Sequence, residues 1–337
     1  MELEAKHIHA PELYGDFWFN SEPVSLRALR GQVVLLDFWD YSCVNCVRTL
    51  DYVRAWAAKY ASYGLVTVGV HTPEFRFARN PELLGRAIAE AGIAYPVVSD
   101  NEAIIWTAYA VRAWPTRCLV DKDGFIRFLQ QGEGGYNEFE RALQQLLNES
   151  GYRGEFPELT QPKRDEDRPG AVCHRPTGEI YLGYLRGTIG NPEGYSPEST
   201  AEYADPGYYL SERFYAGGKW LNGREALRFN GGETESGTLT LSYEAREVNA
   251  VMGSRSGRPC EVMITQDGAA LTDDISGGDV LPHSGGRVCV DMPRMYRLVR
   301  NPEFGPHQLR FTTTAQDLEV YTISFTTSVI PELVSKN

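Results

Sequence analysis

Residues Val33–Trp39 form an apolar run broken only by Asp37, and four positions further on Cys43 and Cys46 stand two residues apart. Beyond the second cysteine, Val47, Leu50, Val53 and Ala57 recur at helical spacing, while Arg48, Asp51, Arg54 and Lys59 fall on the other side. A short apolar run of this kind is a strand buried on both faces, and such strands belong to helix-covered sheets. The segment therefore reads as a buried strand, a turn and an amphipathic helix of about four turns, with the cysteines at the helix start. Unpaired backbone N–H groups and the helix dipole favour a negative sulfur there, which lowers a thiol pKa and raises the thiolate fraction at neutral pH. The two-residue spacer places the second sulfur one turn on, within disulfide reach. One thiolate can then open a disulfide and the second can resolve the mixed disulfide.

The pattern around this segment sets the fold class. Residues 65–70 are a second buried strand, 81–91 a helix, 95–98 a short strand and 102–110 another helix. Residues 116–120 and 125–129 flank the turn Asp121-Lys122-Asp123-Gly124 as an antiparallel pair, and 137–148 close with an amphipathic helix. Residues 1–25 read as irregular. This alternation is a mixed α/β sheet covered by helices, placed at about 1–150. Residues 151–204 are rich in Gly, Pro and charge and read as a linker or extended wrap. From about 205 to 330 the pattern is all-β, with alternating runs at 238–243, 260–265, 287–290, 309–311 and 318–325, as in a β-sandwich or jelly roll.

Composition removes several function classes. The chain of 337 residues carries a formal net charge of −12 with no basic stripe, so nucleic acid and anionic membrane surfaces are poor partners. The longest apolar runs are strand-sized, far short of the ~20 residues of a membrane-spanning helix. The N-terminal segment lacks an apolar signal core, which points to a soluble cytoplasmic protein; a piece of a longer precursor would look the same and could lie outside the cytoplasm. Zinc needs four ligands, usually from two cysteine pairs. No second pair exists among the six cysteines, so no metal is expected.

The segment Leu36-Asp37-Phe38-Trp39-Asp40-Tyr41-Ser42-Cys43-Val44-Asn45-Cys46 resembles the active-site segment of the thioredoxin fold. Asp37 matches the buried carboxylate with which that family moves protons at the second thiol, and Trp39 matches its active-site tryptophan. Trp114-Pro115-Thr116 resembles the cis-proline segment that faces the cysteine pair and holds substrate backbone; a proline at a strand start also suits both the cis bond and the missing ladder donor. Together with Gly69-Val70-His71-Thr72-Pro73-Glu74-Phe75 and Gly132-Glu133-Gly134-Gly135-Tyr136-Asn137, these motifs are similar to the soluble portion of DipZ-type proteins, in the TlpA/ResA-like branch. Ile180-Tyr181-Leu182-Gly183-Tyr184 resembles the start of that portion's C-terminal β-sandwich, which is similar to carbohydrate-binding modules.

The resemblance implies a protein thiol–disulfide oxidoreductase with no dissociable cofactor. Cys43 and Cys46 would be catalytic with Asp37, while Trp114, Pro115, Thr116 and Trp39 would contact substrate. Its partners would be a protein disulfide or thiol, an electron donor such as a CcdA-like membrane protein, and a carbohydrate or protein ligand of the sandwich. The relatives lie outside the membrane. The competing reading is a binding or scaffold protein whose cysteine pair is structural or vestigial. Peroxiredoxins share the fold but use a Thr three residues before the reactive Cys, where this chain has Asp40.

Other residues carry sharper and blander readings. Asp37 alone in an apolar strand would have a raised pKa and exchange protons near neutrality. His71 could approach the site but reads first as a packing residue, and Glu133 could sit near the pair from its Gly-rich turn. Cys118 reads as a small buried apolar residue, and a Cys260–Cys289 disulfide is left open. The nine aromatic residues within 181–220 read as anchors burying their rings rather than as a stacking platform.

Overall fold

The computed structural model describes residue 3 and residues 5–333; residues 1, 2 and 4 of the segment read above for a signal core lie outside the described residues. The chain divides into two compact units, Met1–Gly170 and Ala171–Asn337.

The first unit contains β1 (Trp18–Phe19), β2 (Val33–Trp39), α1 (Val44–Tyr60), β3 (Leu65–His71), α2 (Pro81–Glu90), β4 (Val97–Ser99), α3 (Ile104–Ala108), β5 (Thr116–Val120), β6 (Ile126–Gln131) and α4 (Tyr136–Ser150). The sheet order is β1-β4-β3-β2-β5-β6. Strands β2, β3 and β4 run parallel, while β5 is antiparallel to β2. This is the thioredoxin-like architecture. Side chains alternate across a strand, and β2 feeds two cores. Val33, Leu35 and Trp39 pack with Cys46, Val53 and Trp56 of α1 and Phe139 and Leu143 of α4. Val34, Leu36 and Phe38 pack with Ile105 of α3 and with Leu13 and Leu26 of the N-terminal arm. Asp37 is in the first set by parity, so its carboxyl points to the α1 side. The arm read as irregular also supplies β1, a two-residue strand paired with β4.

The stretch read as a linker divides at the boundary between the units. Residues up to 170 pack on the first unit because α1 offers them polar partners. Tyr52 donates to Asp167 and accepts the Lys163 N–H, both at 2.7 Å, and Arg164 reaches Asp51 at 2.7 Å. Residues from 171 onward join the second unit through short strands that carry no periodicity long enough to read.

The second unit is an all-β sandwich built from β7 (Ile180–Tyr181), β8 (Thr200–Tyr203), β9 (Tyr215–Asn222), β10 (Leu227–Phe229), β11 (Gly237–Ser254), β12 (Cys260–Gln266), β13 (Ala269–Ala270), β14 (Arg287–Val290), β15 (Arg294–Thr313) and β16 (Leu318–Thr326). The two long strands β11 and β15 pair along most of their length, with register shifts near Ala245 and Val248. Such bulges bend strands and let β11 serve two neighbours: its first half pairs with β9 and its second half with β16. Because β10 joins β16 to β9, pairing closes into the ring β9–β10–β16–β11. Phe214, Trp220, Leu239, Leu241, Phe311 and Leu318 fill its core. Of the nine aromatics in 181–220, Tyr203, Phe214, Tyr215 and Trp220 are buried, as anchors would be, while Tyr208 is exposed. Cys260 and Cys289 are not bonded to each other. Cys260 pairs with Val290 and Cys289 with Glu261, so a one-residue offset turns the two side chains to opposite faces.

Candidate active site

The chain leaves β2 at Trp39 and turns through residues 40–43 before α1 begins. Asp40 holds this turn. Its carboxylate accepts the Ser42 N–H at 2.6 Å, the Ser42 hydroxyl at 2.5 Å and the Glu74 N–H at 2.8 Å, and its carbonyl accepts the Cys43 N–H at 3.3 Å. Fully buried, the carboxyl has its pKa raised by burial against the opposing pull of these donors. In the sequence Asp40 stands out only as the residue at the peroxiredoxin threonine position. The Asp-x-Ser pattern of an Asx turn was the signal that could have found it.

Cys43 is the N-cap of α1, with extended backbone (φ −86°, ψ 117°), and its sulfur accepts the Cys46 N–H at 3.2 Å. A donated N–H at a helix start favours a negative sulfur. Cys43 is partly exposed, whereas Cys46 is fully buried behind it. Burial raises the Cys46 thiol well above its usual range, and a hydrogen bond with Cys43 and the Asp40 charge add to this. The pair thus divides into an accessible sulfur that accepts an N–H at the helix start and a hidden one held as thiol.

Asp37 is 1% exposed, and neither carboxyl oxygen has a hydrogen-bond partner. Burial pushes its pKa up to about 7, against the pull of Arg117. Arg117 stands opposite Asp37 in the β2–β5 register. It is itself fully buried, donates to the carbonyls of Gly132 and Gly134 at 3.2 and 2.7 Å, and lies over the rings of Tyr136 and Phe139. Burial lowers the pKa of this guanidinium. Arg117 is not evident as a site residue from sequence, where its one visible sign is an arginine inside the five-residue strand β5.

The Trp114–Pro115 bond is cis. Thr116 pairs with Phe38, so Trp114 and Pro115 run past the end of β2, where the cysteine turn begins. Trp114 is partly exposed, donates to the Thr72 carbonyl at 3.0 Å and packs on Trp106. Of the residues expected at the substrate, Trp39, Pro115 and Thr116 are buried. Trp39 is 1% exposed and belongs to the core under α1, because it shares the inward face of β2 with Leu35. The Thr116 side chain is buried and donates to the Ala113 carbonyl at 2.7 Å.

His71 ends β3 fully buried, stacked on Tyr41 and edge-on to Trp39. Burial lowers its pKa to about 3, so the ring is neutral, and Nε2 stands 3.7 Å from the Asp40 carboxylate. Glu133 pairs with Arg48 at 2.5 Å, and Arg48 also binds Glu166 at 2.9 Å. These contacts fix the first turns of α1 to the Gly-rich loop and to the segment after α4. Cys118 is buried in the core on the α3 side. Among the described residues no three His, Cys, Asp or Glu side chains converge as a metal ion would require, and no helix is long and apolar enough to cross a membrane.

A family model described as AhpC/TSA family matches residues 4–129, and one described as thioredoxin like C-terminal domain matches residues 177–326. The chain is 33% identical over 285 residues to the protein DipZ of Mycobacterium tuberculosis, covering 81% of this chain and 40% of that protein. It therefore spans well under half the length of that relative. It is 30% identical over 143 residues to the thiol-disulfide oxidoreductase ResA of Halalkalibacterium halodurans, covering 42% of this chain and 70% of ResA. It is 28% identical over 141 residues to the thiol-disulfide oxidoreductase YkuV of Bacillus subtilis, covering 42% of this chain and 95% of YkuV.

Proposed function

Because this chain belongs to the ResA-like branch of the thioredoxin-like thiol–disulfide oxidoreductases, we propose that it exchanges electrons with protein disulfides or thiols through Cys43 and Cys46, the dithiol itself being the carrier. The observation that carries this reading is the asymmetry of the pair: a partly exposed Cys43 sulfur accepts an N–H at the helix start, and a buried Cys46 thiol lies against it. Cys43 thiolate attacks the substrate disulfide and forms a mixed disulfide. Cys46 gives its proton to Asp37 and attacks the Cys43 sulfur, and the substrate leaves as thiolate with the electron pair. A carboxyl with a pKa of about 7 suits this exchange, since it can take or return a proton near neutrality. Trp114 and the cis Pro115 would hold the substrate backbone beside Cys43, and a CcdA-like membrane protein is the kind of donor that would keep such a dithiol reduced.

The test is a redox titration of the purified protein in glutathione and dithiothreitol buffers, read by thiol labelling and mass spectrometry. The Cys43→Ser,Cys46→Ser protein is the control. A reversible two-electron transition confined to the pair supports the reading. A pair that forms no disulfide in any buffer overturns it.

One observation favours a binding role for the second unit. A surface groove of about 530 Å³ is lined there by Arg175, Ser211, Glu244, Asp267 and His307, and His307 is held by Asp267 at 2.7 Å. Its polar lining suits a carbohydrate or a polar peptide. A His307→Ala protein that retains the redox transition but loses binding to a glycan or peptide array would support this role.

A further inference from the structure

Each exchange cycle puts one proton on Asp37 and takes one away, yet Asp37 is 1% exposed and neither carboxyl oxygen has a protein partner to pass the proton to. While substrate covers the cysteine pair, the proton cannot return by the way it came. We propose that Tyr95 relays this proton between Asp37 and a solvent groove beside α1. The proposal rests on the oxidoreductase reading and adds an exit path to it.

Tyr95 lies in the turn before β4. The hydroxyl end of its ring packs over Gly69, which pairs with Asp37 across β2 and β3. A side chain at Gly69 would meet Tyr95 Cε2 at 3.3 Å and Trp39 Nε1 at 3.1 Å. Three polar tips therefore gather around one glycine: the Asp37 carboxyl, the Tyr95 hydroxyl and Trp39 Nε1. All are buried and none has a hydrogen-bond partner. A buried hydroxyl without a partner costs about 1–3 kcal/mol, and phenylalanine would fill the same space without that cost. Packing thus gives no reason for the oxygen.

Electrostatics and exposure supply one. The groups facing Tyr95 are Asp37 on the inside and Arg54 of α1 on the outside, and both charges bear on its hydroxyl. Asp37 in turn is faced by Arg117 from β5. Tyr95 also lines an open groove of about 830 Å³ together with Asp51, Arg54, Ala58, Gly92 and Arg164. Tyr95 thus lies between the buried carboxyl's surroundings and the groove. A phenol hydroxyl accepts and donates at once, so it passes a proton without becoming charged, here through one ordered water, since the hydroxyl and the carboxyl are not hydrogen-bonded to each other. The balance is simple. Cys46 thiol protonates Asp37, and its thiolate forms the S–S bond with Cys43 as the Cys43–substrate bond breaks. The Asp37 proton then moves to the Tyr95 oxygen while the phenol proton leaves to the groove, restoring the carboxylate.

The test uses the full chain with Tyr95→Phe and, separately, Asp37→Asn. Reduced protein is mixed with oxidised glutathione at several pH values and quenched with acid, and mass spectrometry follows the glutathione adduct on Cys43. Below pH 7, where Asp37 begins protonated and must lose its proton before it can accept another, the Tyr95→Phe adduct forms at the normal rate but decays about a hundredfold more slowly, the low end for a positioned proton-transfer group, and with a larger solvent deuterium isotope effect. Above about pH 8, where Asp37 begins as carboxylate, it decays at the wild-type rate, and the urea midpoint is unchanged or higher. Adduct decay at the wild-type rate at every pH, with an unchanged isotope effect, where Asp37→Asn does slow decay, overturns the relay and leaves the oxidoreductase reading standing. Wild-type protein that ends with neither an adduct nor a Cys43–Cys46 disulfide overturns both.

Discussion

Replacing Asp37 with asparagine removes a carboxyl whose ionisation the fold resists. Burial moves its pKa from the usual 3.8 to about 7, because the charged form has neither water nor a hydrogen bond. The folded protein therefore binds this proton more tightly than the unfolded chain does. Below about pH 4 both states are protonated and the group adds no penalty. Between pH 4 and 7 the unfolded chain loses the proton first, so stability falls by up to about 1.4 kcal/mol per pH unit. Above pH 7 the full penalty, about 4 kcal/mol for a shift of roughly three units, is in place. The asparagine side chain never ionises. The variant should match wild type near pH 4 and exceed it increasingly up to pH 8, by an amount on the order of 4 kcal/mol. Urea denaturation at a series of pH values reads this through tryptophan fluorescence, since Trp18, Trp39, Trp56, Trp106 and Trp114 lie in the first unit and only Trp220 in the second. A wild-type-to-variant difference that is constant with pH, or that shrinks as pH rises, would refute the reasoning.

Three further outcomes are expected. Cys46→Ser should trap substrate on Cys43 as a stable mixed disulfide, and Cys43→Ser should trap none; equal trapping by both, seen on non-reducing gels, would reverse the roles. Asp40→Ala strands the N–H groups of Ser42 and Glu74, so the first unit should lose about 2–4 kcal/mol in urea denaturation; an unchanged midpoint would show that the turn holds itself. Asp167→Ala removes the acceptor of the buried Tyr52 hydroxyl and a partner of Arg164. A loss of about 1–3 kcal/mol from the first unit is expected, and none at all would mean that residues 157–168 ride on α1 without supporting it.

The active-site strand, helix and cysteines were legible because their signals are local. Val33–Trp39 and the 3.6-residue recurrence after Cys46 need no distant partner to be read, and a proline opening β5 announces itself. What failed depended on pairing across the sheet. Trp39 was assigned to the substrate surface by resemblance, but strand parity from Leu35 already turns it inward. Arg117 acquires meaning only from the register that sets it opposite Asp37. Tyr95 and Gly69 come together only through β3 and the turn before β4. The strands at 180–181 and 200–203 were hidden because two to four residues cannot display a period. The 20-residue β15 was read only at its end, since its centre, with Asn301, Pro302 and Gly305, carries the sequence of a loop.

The ring β9–β10–β16–β11 has a consequence for how the second unit can recognise a polypeptide. Adding an extended peptide to a sheet requires a free row of N–H and C=O groups. Inside the ring every strand has a neighbour on both sides, and the sheet's path ends on β8, four residues long, and β13, two residues long, with β14 and β7, four and two residues long, paired off it. Edges so short offer a guest chain few backbone bonds and resist uncontrolled strand-by-strand association. Strand addition is thus a poor route for a protein to dock on this unit, and side chains on the sandwich surface are the alternative it offers.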